Sequence, residues 1–146
     1  MEIILSEVKE NGLELSGSYD PAALELNTPQ VTFIAPVNVR LKAQRIDGTL
    51  DVQVSVRGEM RHVCSRCLTE FPVRLSHDFR VDYKIGTEKS IDVTNDVRDE
   101  IILTYPLQIL CAEGCKGLCH ICGKNLNEGV CKCRTEPSGP FGKLKI

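Results

Sequence analysis

The stretch VNVRLKAQRIDGTLDVQVSVR, residues 37–57, decides the fold. Val37, Val39, Leu41 and Ala43 alternate with Asn38, Arg40, Lys42 and Gln44, and Leu50, Val52, Val54 and Val56 alternate with Asp51, Gln53, Ser55 and Arg57. Alternation with period two is strand behaviour, because successive side chains point to opposite faces. Asp47-Gly48 between the two runs is a favoured two-residue hairpin turn. Centring the turn there pairs Ala43 with Val52, Leu41 with Val54 and Val39 with Val56, all on one face. A slip of one residue would set each against a polar partner, so the register is well specified.

A third strand follows, with Phe71, Val73, Leu75, His77, Phe79, Val81, Tyr83 and Ile85 on one face and Pro72 best placed at its start or edge. An earlier hairpin is expected around Asn11-Gly12, pairing Val8 with Leu15. Residues 21–36 contain Pro21, Pro29 and Pro36 and read as a connection with at most one short element. The period then changes. Val97, Ile101 and Tyr105 recur every four residues, acidic residues crowd the first turn, and Pro106 ends the run, which predicts one helix over about residues 94–105. The expectation is an α+β fold: a mainly antiparallel sheet, one main helix laid on it, and a C-terminal cysteine-rich module of zinc-knuckle type. Residues 1–110 form the β-rich domain, and residues 111–146 a tail packed on it that is not independent, being too poor in periodic apolar residues to bury a core.

The composition, 42% hydrophobic and 26% charged, is that of a soluble globular chain and excludes collagen-like, coiled-coil and disordered classes. No apolar run reaches half a membrane span, and the start MEIILSEVKE lacks a basic segment and a cleavage site, so a cytoplasmic chain with no membrane partner is expected. Net charge is −2, yet residues 37–80 and 111–146 each carry +3, while residues 1–36 carry −5 and residues 81–110 carry −3. Every cysteine falls in a basic segment.

Eight cysteines in such a chain point to metal rather than disulfides. They form four close pairs: Cys64-x2-Cys67, Cys111-x3-Cys115, Cys119-x2-Cys122 and Cys131-x-Cys133. Zinc takes four thiolates in a tetrahedron, and a two-residue spacer lets one tight turn present two sulfurs. Gly123, directly after Cys122, suits such a turn. One or two Zn2+ ions are expected. Cys119, Cys122, Cys131 and Cys133 can close one compact knuckle, with Cys64, Cys67, Cys111 and Cys115 stapling the sheet to the chain after the helix; crossed pairings, or a single occupied site, stay open on spacing alone. An iron–sulfur cluster and free redox thiols are the competing readings of the same cysteines. Cys115-x3-Cys119-x2-Cys122 also has the spacing of enzymes that use S-adenosylmethionine radically, but too little chain follows for their barrel. Residues 117–124 fail as a phosphate loop, with one spacer too many and Asn125 where Ser or Thr belongs.

His62 and His77 continue apolar strand faces and read as packed residues; His120, between Cys119 and Cys122, points away from the sulfurs if both bind one metal. No serine elbow, zinc-protease motif, paired carboxylates or nucleotide loop appears, so neither an enzyme nor a small-molecule substrate is expected. Arg61, Arg66, Lys116, Lys124, Lys132 and Arg134 flank the cysteines and are candidate RNA contacts around a metal-fixed scaffold.

Cys64-Ser-Arg-Cys67-Leu68 at a hairpin end, Val97-Arg-Asp-Glu-Ile-Ile-Leu103 running into Pro106-Leu107, and CAEGCKGLCHICGKNLNEGVCKC at residues 111–133 together resemble the YceD family of bacteria and plastids, the large ribosomal RNA subunit accumulation proteins. The resemblance runs from about residue 50 to 146, and the last ten residues depart in part from the family's usual ending. It implies a non-catalytic role in maturation or accumulation of large-subunit (23S) rRNA, with that rRNA, a pre-ribosomal particle or a ribosomal protein as partner. Two other functions fit the residues: a protein-binding adaptor on the same zinc scaffold, and a thiol redox sensor.

Overall fold

In the computed structural model, which describes residues 1–133, seven strands and one α-helix follow in the order β1 (Glu2–Ile4), a 3-10 turn (Leu5–Glu7), β2 (Leu13–Tyr19), β3 (Val31–Phe33), β4 (Val37–Ile46), β5 (Thr49–Val63), β6 (Glu70–Lys84), β7 (Ser90–Asp92) and α1 (Thr94–Leu103). The hairpin of β4 and β5 has the register expected from its alternation, with Ala43 opposite Val52, Leu41 opposite Val54 and Val39 opposite Val56. Asp47 and Gly48 both take positive φ, 46° and 79°, as a type I′ turn requires.

The sheet is antiparallel and built around β5. β6 pairs along one whole edge of β5, from Thr49 opposite Lys84 to Val63 opposite Glu70. The other edge is shared: β4 takes its first half and β3 its end, with Val31 opposite His62. β2 lies outside β4, and β1 and β7 form a separate two-stranded ladder. The architecture is thus mostly antiparallel sheet with one helix, followed by the cysteine-rich segment.

The hairpin expected around Asn11-Gly12 does not form. Only an isolated bridge from Lys9 to Gly12 occurs there. Val8 follows the 3-10 turn, and β2 instead pairs with β4, setting Leu13 against Ala43 and Leu15 against Leu41. The free edge of β4 offers a ready apolar row, against which the partly buried leucines of β2 pair. At Gly12 (φ 82°) a Cβ would stand 2.9 Å from the Ala43 carbonyl oxygen, so only glycine fits this entry to β2.

One face of the sheet is the core. Val39, Leu41, Ala43, Val52, Val54 and Val56 are buried on it, covered by Val97 and Ile101 of α1 and by Leu24 and Leu26 of the Pro21–Pro36 connection. α1 spans Thr94–Leu103, slightly shorter than its periodicity predicts, and Asp92 accepts the Thr94 N–H at its start. Tyr105 lies beyond it and donates to the Leu26 carbonyl oxygen at 2.8 Å. No helix among the described residues is long and apolar enough to cross a membrane.

Candidate metal centre

Where β5 ends, Cys64-Ser65-Arg66-Cys67-Leu68 reverses the chain into β6. The turn is closed by the Leu68 N–H donating to the Cys64 carbonyl at 3.0 Å and the Cys64 N–H donating to the Thr69 carbonyl at 3.0 Å. The same turn recurs fifty-five residues later at Cys119-His120-Ile121-Cys122-Gly123. There the Gly123 N–H donates to Cys119 O and the Cys119 N–H to Lys124 O, both at 2.8 Å. Each turn ends in the left-handed region, with φ 57° at Leu68 and 72° at Gly123. Glycine adopts that conformation freely, whereas leucine is strained by its Cβ. Two separate stretches therefore fold to one sulfur-presenting device.

The remaining sulfurs come from the chain beyond α1. The Ser65 N–H donates to the Ile109 carbonyl at 2.7 Å, which brings Cys111 and Cys115 over the first turn. The sulfurs of Cys64 and Cys115 lie 3.7 Å apart and those of Cys67 and Cys111 3.5 Å apart. In the second group Cys119 and Cys131 are 3.4 Å apart. Within each quartet, Cys64/Cys67/Cys111/Cys115 and Cys119/Cys122/Cys131/Cys133, all four sulfurs lie within 4.8 Å of one another. A disulfide would hold sulfurs at about 2.05 Å. Four thiolates around one Zn2+ at about 2.3 Å stand about 3.8 Å apart along a tetrahedral edge. Both quartets fit a four-coordinate metal ion, and the grouping is the one that sequence proximity favours. Cys64, Cys67 and Cys115 are buried while Cys111 is exposed; in the second quartet only Cys119 is buried.

The thiols of each quartet pull one another's protonation apart. Burial raises the Cys64 thiol, but the backbone N–H groups of Cys67, Cys111 and Arg66 outweigh it and hold it at about 6. The Thr69 hydroxyl and N–H lower Cys67. Cys111 is pushed up to about 12, first by its hydrogen bond with Cys67. Likewise the N–H groups of Cys122 and Ile121 hold Cys119 at about 6, while Cys133 rises to about 12 against Cys122. Adjacent thiolates repel, and a dication between them removes the conflict.

The two quartets are stitched together. Arg66 donates from Nη1 to the Cys115 carbonyl at 3.1 Å, and its own carbonyl accepts from the Leu118 N–H at 3.1 Å. Gly117 passes so close that a Cβ there would meet Arg66 O at 3.1 Å. Asn127, from the loop of the second quartet, donates to the Cys115 sulfur at 3.3 Å and accepts from the Lys116 N–H at 2.8 Å. Nothing in the spacing singles out Asn127 or Leu68.

The candidate RNA residues Arg61, Arg66, Lys116, Lys124 and Lys132 all lie exposed, and three of them also have a protein partner. Arg61 lies on β5, 3.9 Å from Glu70. Arg66 is engaged with Cys115, and Lys124 Nζ donates to Val130 O at 3.3 Å. Arg134 lies outside the described residues. His62 is buried edge-on against Phe71, His77 stacks on Phe79 and meets Glu100 at 3.1 Å, and His120 is exposed.

Fold and site together define a β-sheet protein carrying two four-cysteine clusters that could each hold a metal ion. Residues 80–146 match the family model described as Large ribosomal RNA subunit accumulation protein YceD, and the YceD resemblance is thereby shown over that segment. The match starts at residue 80 rather than near residue 50, so Cys64 and Cys67 lie before it. The chain is 38% identical over 61 residues to the chloroplastic Large ribosomal RNA subunit accumulation protein YCED homolog 1 of Arabidopsis thaliana, covering 39% of this chain and 19% of that protein. The homolog of the same name from Zea mays is 44% identical over 61 residues, covering 41% and 21%. An uncharacterized protein of Mycobacterium leprae is 26% identical over 121 residues, covering 72% and 56%. The chain thus spans about a fifth of the length of the plant relatives. No solved structure matches it significantly.

Proposed function

We propose that the chain is a non-enzymatic, cytoplasmic factor for the accumulation of large-subunit ribosomal RNA, shaped by two structural zinc ions and acting in contact with that RNA or its pre-ribosomal particle. The match of residues 80–146 to the family bearing that name carries the reading. The all-thiolate donor sets support zinc, because soft sulfur ligands in a tetrahedral quartet suit Zn2+ and not Mg2+ or Ca2+. Each quartet supplies all four ligands itself, which leaves no open position for substrate and supports a structural role. Free thiols throughout suit a reducing compartment.

The test is depletion of the protein in its host, followed by quantification of mature large- over small-subunit rRNA. The ratio is expected to fall and to recover on complementation; an unchanged ratio overturns the reading. Metal analysis of the purified chain should give two zinc ions per chain, and a metal-free protein with intact fold overturns the zinc assignment.

One observation favours a protein-binding adaptor as the second reading. A groove of about 590 Å³ lies beside β6, with Met60, Phe71, Val73, Leu75, Ile109 and Leu110 in its wall beside polar residues that include His62, Arg74, His77 and Glu113. An apolar interface there would hold its affinity as salt rises, whereas phosphate contacts weaken steeply.

A further inference from the structure

The face of the sheet opposite the core is a basic, hydroxyl-floored channel. Register places Ser16, Arg40 and Ser55 in one row, and Ser18, Asn38 and Arg57 in the next. These six side chains line a hollow of about 590 Å³. It shares Ser16, Arg40 and Ser55 with a second hollow that reaches Lys42, and Asn38 and Arg57 with a third that reaches Arg74. The three run on from one another along the strands, so Lys42, Arg40, Arg57 and Arg74 stand one per row.

Same-face residues of a strand repeat every ~6.7 Å. A file of cations that steps one row at a time from β4 across β5 to β6 matches an extended polyanion with one charge per unit, as in a single-stranded nucleic acid. Across the four rows, five basic side chains (Lys42, Arg40, Arg57, Arg74 and Arg80) face three acidic ones (Glu14, Glu59 and Asp78), and Arg80 is itself paired with Asp51 and Asp82 of the adjoining row, which leaves four basic groups against three. Lys42 is paired with Glu14 and Arg57 with Asp78, while Arg40 and Arg74 are exposed and have no ion-pair partner among the described residues. The floor is serine and asparagine, which hydrogen-bond phosphate and ribose oxygens. These rows hold no aromatic ring on which a base could stack.

We propose that this channel seats the sugar–phosphate backbone of an extended single-stranded RNA segment, with Arg40 and Arg74 contacting phosphates without reading sequence. The inference rests on the ribosomal RNA reading above and places the contact on the sheet rather than on the lysines beside the cysteines.

The test is fluorescence anisotropy of the full-length, metal-replete chain with a fluorescein-labelled single-stranded RNA 16-mer of mixed sequence, between 50 and 200 mM salt. Each phosphate contact on a single strand contributes about 0.7 to the slope of log affinity against log salt. The double variant Arg40→Gln/Arg74→Gln should flatten that slope by about 1.4. With binding at 1 M salt held equal, it should weaken affinity roughly 60-fold at 50 mM and roughly 10-fold at 200 mM. Arg40→Lys/Arg74→Lys should retain most of the affinity, and an unchanged melt of the glutamine variant shows that the fold is intact. Unaltered binding by the glutamine variant overturns the proposal. If Lys116→Gln/Lys124→Gln/Lys132→Gln abolishes binding instead, the RNA reading survives and the sheet seat falls. A wild-type chain that binds no RNA at 50 mM, while depletion still lowers the rRNA ratio, removes the seat but leaves the role in accumulation standing. Equal competition by duplex RNA overturns the single-strand assignment.

Discussion

Removing one sulfur from the first quartet should loosen the whole sheet, whereas removing one from the second should not. Cys111 and Cys122 make a matched pair for this comparison, because both are exposed and a serine at either disturbs little packing. The first quartet joins residues 44 positions apart, Cys67 and Cys111, and 51 apart, Cys64 and Cys115. Treated as one cross-link, such a loop removes about 4 kcal/mol of unfolded-chain entropy. The second joins Cys119 to Cys131, 12 positions apart, worth about 3 kcal/mol, but that loop lies wholly within the tail. For a chain of this size each kcal/mol moves the melt by about 2–4 °C, so Cys111→Ser should lower the β-sheet transition by about 8–16 °C. Far-ultraviolet circular dichroism near 218 nm, in reducing buffer with zinc present, reads that transition. Cys122→Ser should shift it by less than about 3 °C, and chelation of the wild type should reproduce the Cys111→Ser value. Equal melts for wild type and Cys111→Ser, or an equal fall for both variants, would refute the staple.

Leu68→Gly should raise the melt by about 2–4 °C, since it relieves about 1 kcal/mol of left-handed strain at φ 57°. The mirror substitution Gly123→Ala meets no atom within 4 Å, so any loss of zinc affinity at the second quartet measures backbone strain alone. Asn127→Ala deletes the hydrogen bond to the Cys115 sulfur and should weaken zinc at the first quartet by about tenfold in a competition titration against a chromophoric chelator. Burial pushes the Tyr105 hydroxyl up to about 12. Because that lies above the unfolded value of about 10, Tyr105 contributes stability that is fully present below pH 10 and lost as pH rises toward 12. Absorbance at 295 nm during alkaline titration should show a step near pH 12 that Tyr105→Phe removes, while Tyr83, raised further by burial and its hydrogen bond to Asp96, still ionises later.

Legibility tracked the range of the interaction. The β4–β5 register could be read because its partners are joined by a two-residue turn and any slip is penalised at every row. α1 could be read from its period, and the donor set from cysteine chemistry. What escaped was long in range or short in length. β2 pairs with a strand whose residues lie 18 to 30 positions away rather than with its neighbour, and β1 meets β7 about ninety residues on. Three-residue strands carry no usable period, so β3 in the proline-rich connection was visible only as a possible short element. At the site, the alternation of Arg40 and Lys42 marked an outward face. That Arg57 and Arg74 continue their line depends on cross-strand pairing, which composition does not contain.

The placement of the first quartet follows from where the core gives out. β5 and β6 form a hairpin of fifteen paired residues, but β4 covers only the first half of β5, and beyond it stands β3 alone. The apolar row of β5 accordingly thins from Val52, Val54 and Val56 through Met60 to His62, a histidine with its Nε2 unpartnered in protein. At this tip the β5–β6 hairpin keeps only the three-residue β3 beside it, and a narrow sheet end of this kind gains from further cover. Cys64 and Cys67 stand at that tip, and Cys111 and Cys115 bring down on it the segment whose Ile109 carbonyl accepts from Ser65. A four-thiolate metal ion would supply there the cohesion that side chains no longer provide, much as small domains substitute metal for core. The second quartet hangs on this arrangement through Arg66, Gly117 and Asn127, each touching residues of the first turn or of Cys115. Its anchorage therefore depends on the first quartet being formed, while the hydrogen bond from Asn127 to the Cys115 sulfur is what the second quartet's loop gives back.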